Sequence, residues 1–184
     1  MSRIYTLIVS LGALVIAIDQ WTKSWALSKL ENLGDSIPFV SGWNWTLVHN
    51  YGAAFGMMRG LPESIRGSFF FILPLAVLTL LWFSYVRHIK KEDLLGPVAM
   101  GLILGGALGN VLDRINHGYV IDFIDWHYQS AGKCIPLFFK MSTDTCHWPV
   151  FNFADSAISG AMVLLIIYTW RLEAKNKKEA PKAK

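Results

Sequence analysis

Two carboxylates, Asp122 and Asp125, stand three residues apart in the run VIDFIDW, and a third, Asp155, stands in FNFADSAI. All three have large apolar neighbours, which implies burial at an apolar face, where ionising a carboxyl is costly. That cost has a chemical use. Paired acids in such a place share one proton, because both cannot ionise side by side. The ionised member then activates a water as general base, and the protonated member polarises a carbonyl. This is the chemistry of an aspartic peptidase. Asp155 also lies inside a helix-length apolar run, and an ionisable residue in a spanning helix is a functional candidate by default.

Other chemistries fit less well. His117, Asp122, Asp125 and His127 are possible metal ligands, but their spacing matches no common zinc signature and H-E-x-x-H is absent, so no metal is expected. A serine mechanism would need a histidine near Ser156 or Ser159, and the outward histidines all lie in loops; both serines read as packing or hydrogen-bonding residues. The alternative from another class is a small proton-coupled membrane transporter, or a scaffold, using Asp155. Four helices without visible inverted repeats make a poor transporter monomer.

The elements that must position these acids are membrane helices. Of 184 residues, 53% are hydrophobic and only 16% charged, and the mean hydropathy is +0.38; a soluble domain is normally less apolar and more charged. The apolar residues fall in four blocks, giving expected helices at about 4–27, 68–86, 94–112 and 151–170. Each approaches or exceeds the roughly 20 residues that cross a bilayer core. Pro74 lies inside the second, where neighbouring helices can absorb it. Arg3, an apolar stretch and Ala26–Ser28 imitate a cleaved leader, but the run is long and Asp19 and Lys23 interrupt it, so it reads as a retained span. The expected fold is an all-α membrane protein: one domain over 1–184, four transmembrane helices and a basic tail at 171–184.

Taking the N-terminus as cytoplasmic, the inner segments hold ten of the 17 basic residues and only four of the 13 acids. The positive-inside rule therefore puts both termini in the cytoplasm and both long connections outside. The net charge of +4 then needs no nucleic-acid partner; a basic tail marks topology or touches anionic membrane lipid.

The first outer connection, Leu30 to Gly67, interleaves Phe39, Trp43, Trp45 and Leu47 with polar residues and glycines. It reads as short strands forming a small extracytoplasmic β-cradle on the membrane surface. The second outer loop, Asp113 to Pro149, holds the only cysteines, Cys134 and Cys146. An oxidising location permits a disulfide between them, and two free thiols are the other reading.

Polar residues gather at the outward helix ends. Asp19 and Lys23 are four apart on one helical face, and Asn50 lies in HNYGAAF. The third helix ends GGALGNVLDR with Asn110, Asp113 and Arg114. Asn152, Asp155, Ser156 and Ser159 share a face of the fourth. The plain readings are ion pairs or topology markers for Asp19–Lys23 and Asp113–Arg114, and interhelical hydrogen bonds for Asn110 and Asn152. Gly101, Gly105 and Gly109 recur every fourth residue, which lets another helix approach closely and makes the third helix central.

The ordered set DQWTK, HNYGAAF, GGALGNVLDR, GYVIDFIDW and FNFADSAI resembles the lipoprotein signal peptidases, or signal peptidase II, from the first helix through the fourth. Five motifs in order make the resemblance specific. It implies an aspartic endopeptidase of the bacterial inner membrane that needs no cofactor. Such an enzyme cleaves the signal peptide of a diacylglyceryl-modified prolipoprotein just before the lipidated cysteine; this chain is expected to act as a monomer with its active site at the outer face. The catalytic pair of the family falls on Asp122 and Asp155. Supporting residues fall on Asp19, Asn50, Gly106, Asn110, Arg114, Asn152 and Ala154, and the same motifs carry Lys23 and Gly52. Two features depart from the pattern. The stretch between Tyr128 and Trp148 is longer than the family usually has, and Asp125 lies close to Asp122 as a decoy or a modulator.

Overall fold

The computed structural model describes residues 3–52, 72, 75–76, 78–80, 82–83, 94–127, 129–130, 133–134 and 148–179. Its first helix, α1, runs Arg3–Lys29 and buries Gly12, Val15, Asp19, Lys23 and Ala26. That three-and-four spacing is one helical stripe, and it includes two charged residues. The opposite side leaves Val9, Leu14 and Trp21 exposed, as a lipid-facing surface would.

Helix α2, Leu95–His117, is the central one. It packs on both α1 and the last helix, α3, Phe153–Glu179. The glycine stripe explains the contact with α1: a Cβ on Gly105 would lie 2.6 Å from Val15 Cβ and 2.7 Å from the Gly12 carbonyl. These three helices are long and apolar enough to cross a membrane. The described residues carry three such helices, and the second expected span, 68–86, falls largely outside them. Residues 72, 75–76, 78–80 and 82–83 of it are all helical. Leu78 joins Ala99, Ile103, Ala107 and Ala161 in one buried cluster, and Trp82 meets the Tyr5 ring at 6.0 Å.

Helix ends differ from the sequence expectation. The third expected helix ran to 112, but α2 continues to His117 and stops at Gly118, whose left-handed φ of 81° lets its N–H cap the Arg114 carbonyl at 3.1 Å. Its polar last turns stay helical because Asp113 is buried among donors rather than lying in a loop. At the other end, α3 runs nine residues past Trp170, since nothing in RLEAKNKKE breaks a helix.

Strands β1, Ser36–Val40, and β2, Trp43–Asn50, form the expected antiparallel hairpin, turning through Gly42 at φ 86°. The sheet has a third strand that the sequence reading took for loop: β3, Val120–Trp126, pairs antiparallel with β2. Asp122 is therefore a strand residue. A near-continuous apolar run reads equally as a buried strand, and β3 is buried on both faces. Ala26, Leu30, Leu47, Ile121 and Phe123 pack between sheet and α1. The other edge of β3 is stitched to the chain before α3: the Phe123 and Ile124 N–H groups donate to the Phe151 carbonyl, and the Phe151 N–H donates to Ile124. Two short strands, β4 (Gln129–Ser130) and β5 (Lys133–Cys134), pair antiparallel in the connection between β3 and α3. Cys146, and with it the cysteine pairing, lies outside the described residues.

Candidate active site

Asp122 and Asp155 come together because two elements end side by side. Phe151, locked to β3, delivers the next residue, Asn152, to the start of α3. Asn152 and Asp155 cap that helix reciprocally. The Asp155 N–H donates to Asn152 Oδ1 at 2.9 Å, and the Asn152 N–H donates to Asp155 Oδ2 at 3.2 Å. The Asn152 amide nitrogen then donates to Asp122 Oδ1 at 2.7 Å. One asparagine thus holds both carboxylates.

Each acid has a second amide. Asn50 lies diagonal to Asp122 across the β2–β3 ladder, opposite Val120, and its Nδ2 donates to Asp122 Oδ2 at 2.9 Å. Its orientation is fixed because Gly52, at a φ of 85°, donates its N–H to Asn50 Oδ1 at 2.8 Å. Asn110 Nδ2 donates to Asp155 Oδ1 at 2.9 Å.

Beneath the acids lies a charged layer. Lys23, 1% exposed, donates to Asp19 Oδ2 at 2.8 Å and to Asn110 Oδ1 at 2.9 Å, and pairs with Asp113 Oδ2 at 2.8 Å. Asp19 Oδ1 accepts the Ala154 N–H at 3.0 Å, tying α1 to the first turn of α3. Gly106 permits the approach of α2 to that turn, since a Cβ there would come within 2.6 Å of the Ala154 carbonyl. Arg114 is half-buried, donates to the Asn110 carbonyl at 3.2 Å, and its charge acts on Asp155, Asp122 and Asp113.

Every supporting position read from the sequence therefore belongs to one network. The plain reading of Asp19–Lys23 as an interfacial pair is replaced by a fully buried one. Two members were missed: Asp113, taken for a topology marker, and Gln20, whose amide donates to Asp113 Oδ1 at 2.8 Å. The signal for Asp113 was present, as it continues the every-fourth-residue stripe of Gly101, Gly105 and Gly109 onto the α1 face.

Asp125 faces away from Asp122. Three residues from Asp122 on a strand, it points to the other face, where it accepts the Thr46 hydroxyl at 2.9 Å. Ser156 donates to the Asn152 carbonyl and Ser159 is exposed. His117 lies against Tyr119, and the His127 N–H pairs with the Gly42 carbonyl. Among the described residues no three of His, Cys, Asp and Glu stand together as a metal site would require.

Burial drives the Asp122 carboxyl up from its ordinary 3.8 to about 7, and the negative charge of Asp155 adds to the rise. The amides of Asn50 and Asn152 oppose it by favouring the charged form. Asp122 can thus hold a proton near neutral pH, beside a second carboxyl, Asp155, whose two oxygens accept N–H groups. That combination suits general acid–base attack of water on a carbonyl.

Comparison with known proteins gives one answer. The sequence profile described as Signal peptidase (SPase) II matches residues 11–171. A lipoprotein signal peptidase of Acinetobacter baumannii (strain SDF) is 40% identical over 172 residues, 94% of this chain and 88% of that protein. One from Alteromonas mediterranea is 37% identical over 169 residues, covering 92% and 83%. Among solved structures, a bacterial membrane enzyme determined by the in meso method at 2.3 Å superposes with a TM-score of 0.69 at 29% identity, covering 96% of this chain and 93% of that one. A second, at 1.9 Å, gives 0.67 at 31% identity, covering 88% and 91%.

Proposed function

The chain belongs to the signal peptidase II family, and on that premise we propose that it is an aspartic endopeptidase acting on diacylglyceryl-modified prolipoproteins. It removes the signal peptide by cutting the bond before the lipidated cysteine. The observation that carries this reading is the joining of Asp122 and Asp155 through Asn152.

The roles divide by environment. Asp122, whose carboxyl burial pushes up to about 7, donates its proton to the scissile carbonyl oxygen. Asp155, held by N–H donors from Asn110 and Asn152, is the general base and takes a proton from the attacking water. The tetrahedral intermediate collapses when a proton passes to the departing cysteine amine, and the pair returns to its starting state. No cofactor enters this cycle. Arg114, beside the acids, is suited to hold a substrate carbonyl.

The enzyme sits in the inner membrane with both termini cytoplasmic and the site at the outer face, following the basic residues. A lipid-anchored substrate then reaches the acids laterally from the bilayer, beneath the sheet. The test is reconstitution of the purified protein with a diacylglyceryl-modified prolipoprotein. The shorter product is expected; an intact substrate would favour a transporter or scaffold instead.

A further inference from the structure

We propose that Asp113 is a positioning residue for this reaction: its buried carboxylate, anchored on Lys23, fixes where β3 presents Asp122. The proposal rests on the reading of Asp122 and Asp155 as the reacting acids. Asp113 is 1% exposed. Its Oδ2 pairs with Lys23 Nζ at 2.8 Å and accepts the Ile121 N–H at 3.0 Å, and its Oδ1 accepts the Gln20 amide at 2.8 Å. Ile121 immediately precedes Asp122. The only polar grip that α2 has on the backbone next to that acid is thus this carboxylate, among the described hydrogen bonds.

Such a grip matters because strand faces alternate. A small rotation of β3 swings Asp122 away from Asn152, and a one-residue slip would send it to the opposite face. The ladder to β2 is itself irregular between Trp45 and Val48, so the register near Asp122 draws on support from outside the sheet. The same ammonium serves the partner acid. By occupying Asn110 Oδ1 at 2.9 Å, Lys23 leaves the Asn110 Nδ2 to face Asp155. One buried cation therefore sets both acids, Asp155 through Asn110 and Asp122 through Asp113 and Ile121. Asp113 touches neither acid through these bonds and acts through its neighbours.

The decisive variant is Asp113→Asn, which keeps the size of the side chain and leaves Lys23 paired with Asp19. Cleavage of a diacylglyceryl-modified prolipoprotein is followed in lipid vesicles, with thermal unfolding alongside. The expected result is a kcat lowered about tenfold to a hundredfold, as small misplacements of reacting groups produce. KM should stay within about twofold, since substrate binding is not touched. Gln20→Leu, which removes one donor and keeps the charge, should lower kcat less and in the same pattern. Parental kcat in Asp113→Asn, or a loss confined to KM or to melting temperature, overturns the proposal. If Asp113→Asn does not fold, parental kcat in Gln20→Leu overturns it. Asp122→Asn is measured in parallel. Full turnover there defeats the acid-pair reading itself, whereas an inert Asp122→Asn beside a fully active Asp113→Asn defeats only the positioning role.

Discussion

Asn50 Nδ2 lies 2.9 Å from Asp122 Oδ2, aimed there because the amide oxygen is already taken by the Gly52 N–H at 2.8 Å. The donor favours the charged carboxylate and so works against the burial that raises Asp122 to about 7. With Asp122 as the acid, activity falls as pH rises through about 7. Asn50→Ala removes a group that lowers this value, so the alkaline limb of the kcat profile moves to higher pH. A limb that stays put or moves down would remove Asp122 from the acid role.

Folding stability responds to the same proton. Asp122 titrates near 3.8 when exposed and near 7 when buried, so the folded chain holds its proton more tightly. Its contribution is full below about pH 4, declines above that, and is lost as pH rises through about 7. Asp122→Asn should flatten this part of the curve. Thermal unfolding at pH 5 and pH 8 is expected to show the parent losing more stability than the variant.

The proposed roles make each of the two acids indispensable. Asp122→Asn and Asp155→Asn should each lower kcat by about 10²–10⁴-fold, the span general acid–base groups contribute, with the folded fraction retained. Asp125→Asn should keep most of the activity, because its bond to Thr46 lies on the other face of β3. Its cost is in stability, about 1 kcal/mol for the altered hydrogen bond. An inert Asp125→Asn beside an active Asp122→Asn would reverse the assignment.

Chelators should leave the rate unchanged. Both oxygens of Asp122 accept amide N–H groups, from Asn152 and Asn50, a donor set suited to a carboxylate and repellent to a cation. Inactivation by chelation with recovery on adding a divalent ion would move the chemistry to a metal-bound water.

Gly109→Ala tests the charged layer through its packing. The new methyl would lie 2.5 Å from Asp19 Oδ2, pushing that carboxylate off Lys23 and off the Ala154 N–H. A loss of about 1–3 kcal/mol is expected from overpacking, together with reduced turnover. Gly160→Ala, with nothing within 4 Å of the added carbon, is the control and should change stability by no more than about 1 kcal/mol.

Much of this molecule is legible in its sequence because lipid imposes long apolar blocks, and the three apolar helices stand where those blocks are. The supporting residues were legible through ordered motifs, since each of Asp19, Asn50, Asn110 and Asn152 is a polar residue in an apolar setting. What escaped depends on contacts distant in the chain. Strand β3 looked like loop because its apolar run has no alternation, being buried on both faces. Asp113 beside Arg114 suggested a local pair, and only the packing of α1 on α2 reveals that Lys23 and Gln20 claim it. The division of work among the supporting residues is likewise three-dimensional: Gly52 matters to Asp122 only through the Asn50 amide.

The Asp19–Lys23 pair also bears on how the chain enters its membrane. The lysine and its first counterion are one turn apart on the same helix, so the interior of α1 can partition into lipid without net charge before any other helix arrives, Arg3 and Lys29 lying at its two ends. Asp113 and Arg114, adjacent on α2, give that helix a similar balance. Packing of α1 on α2 then adds Asp113 to a Lys23 that keeps Asp19, so no lone charge need face hydrocarbon, where it would be costly. Neutralising Asp19 alone would therefore strand a cation during biogenesis, and the first symptom would be poor insertion, seen as scarce protein rather than slow enzyme.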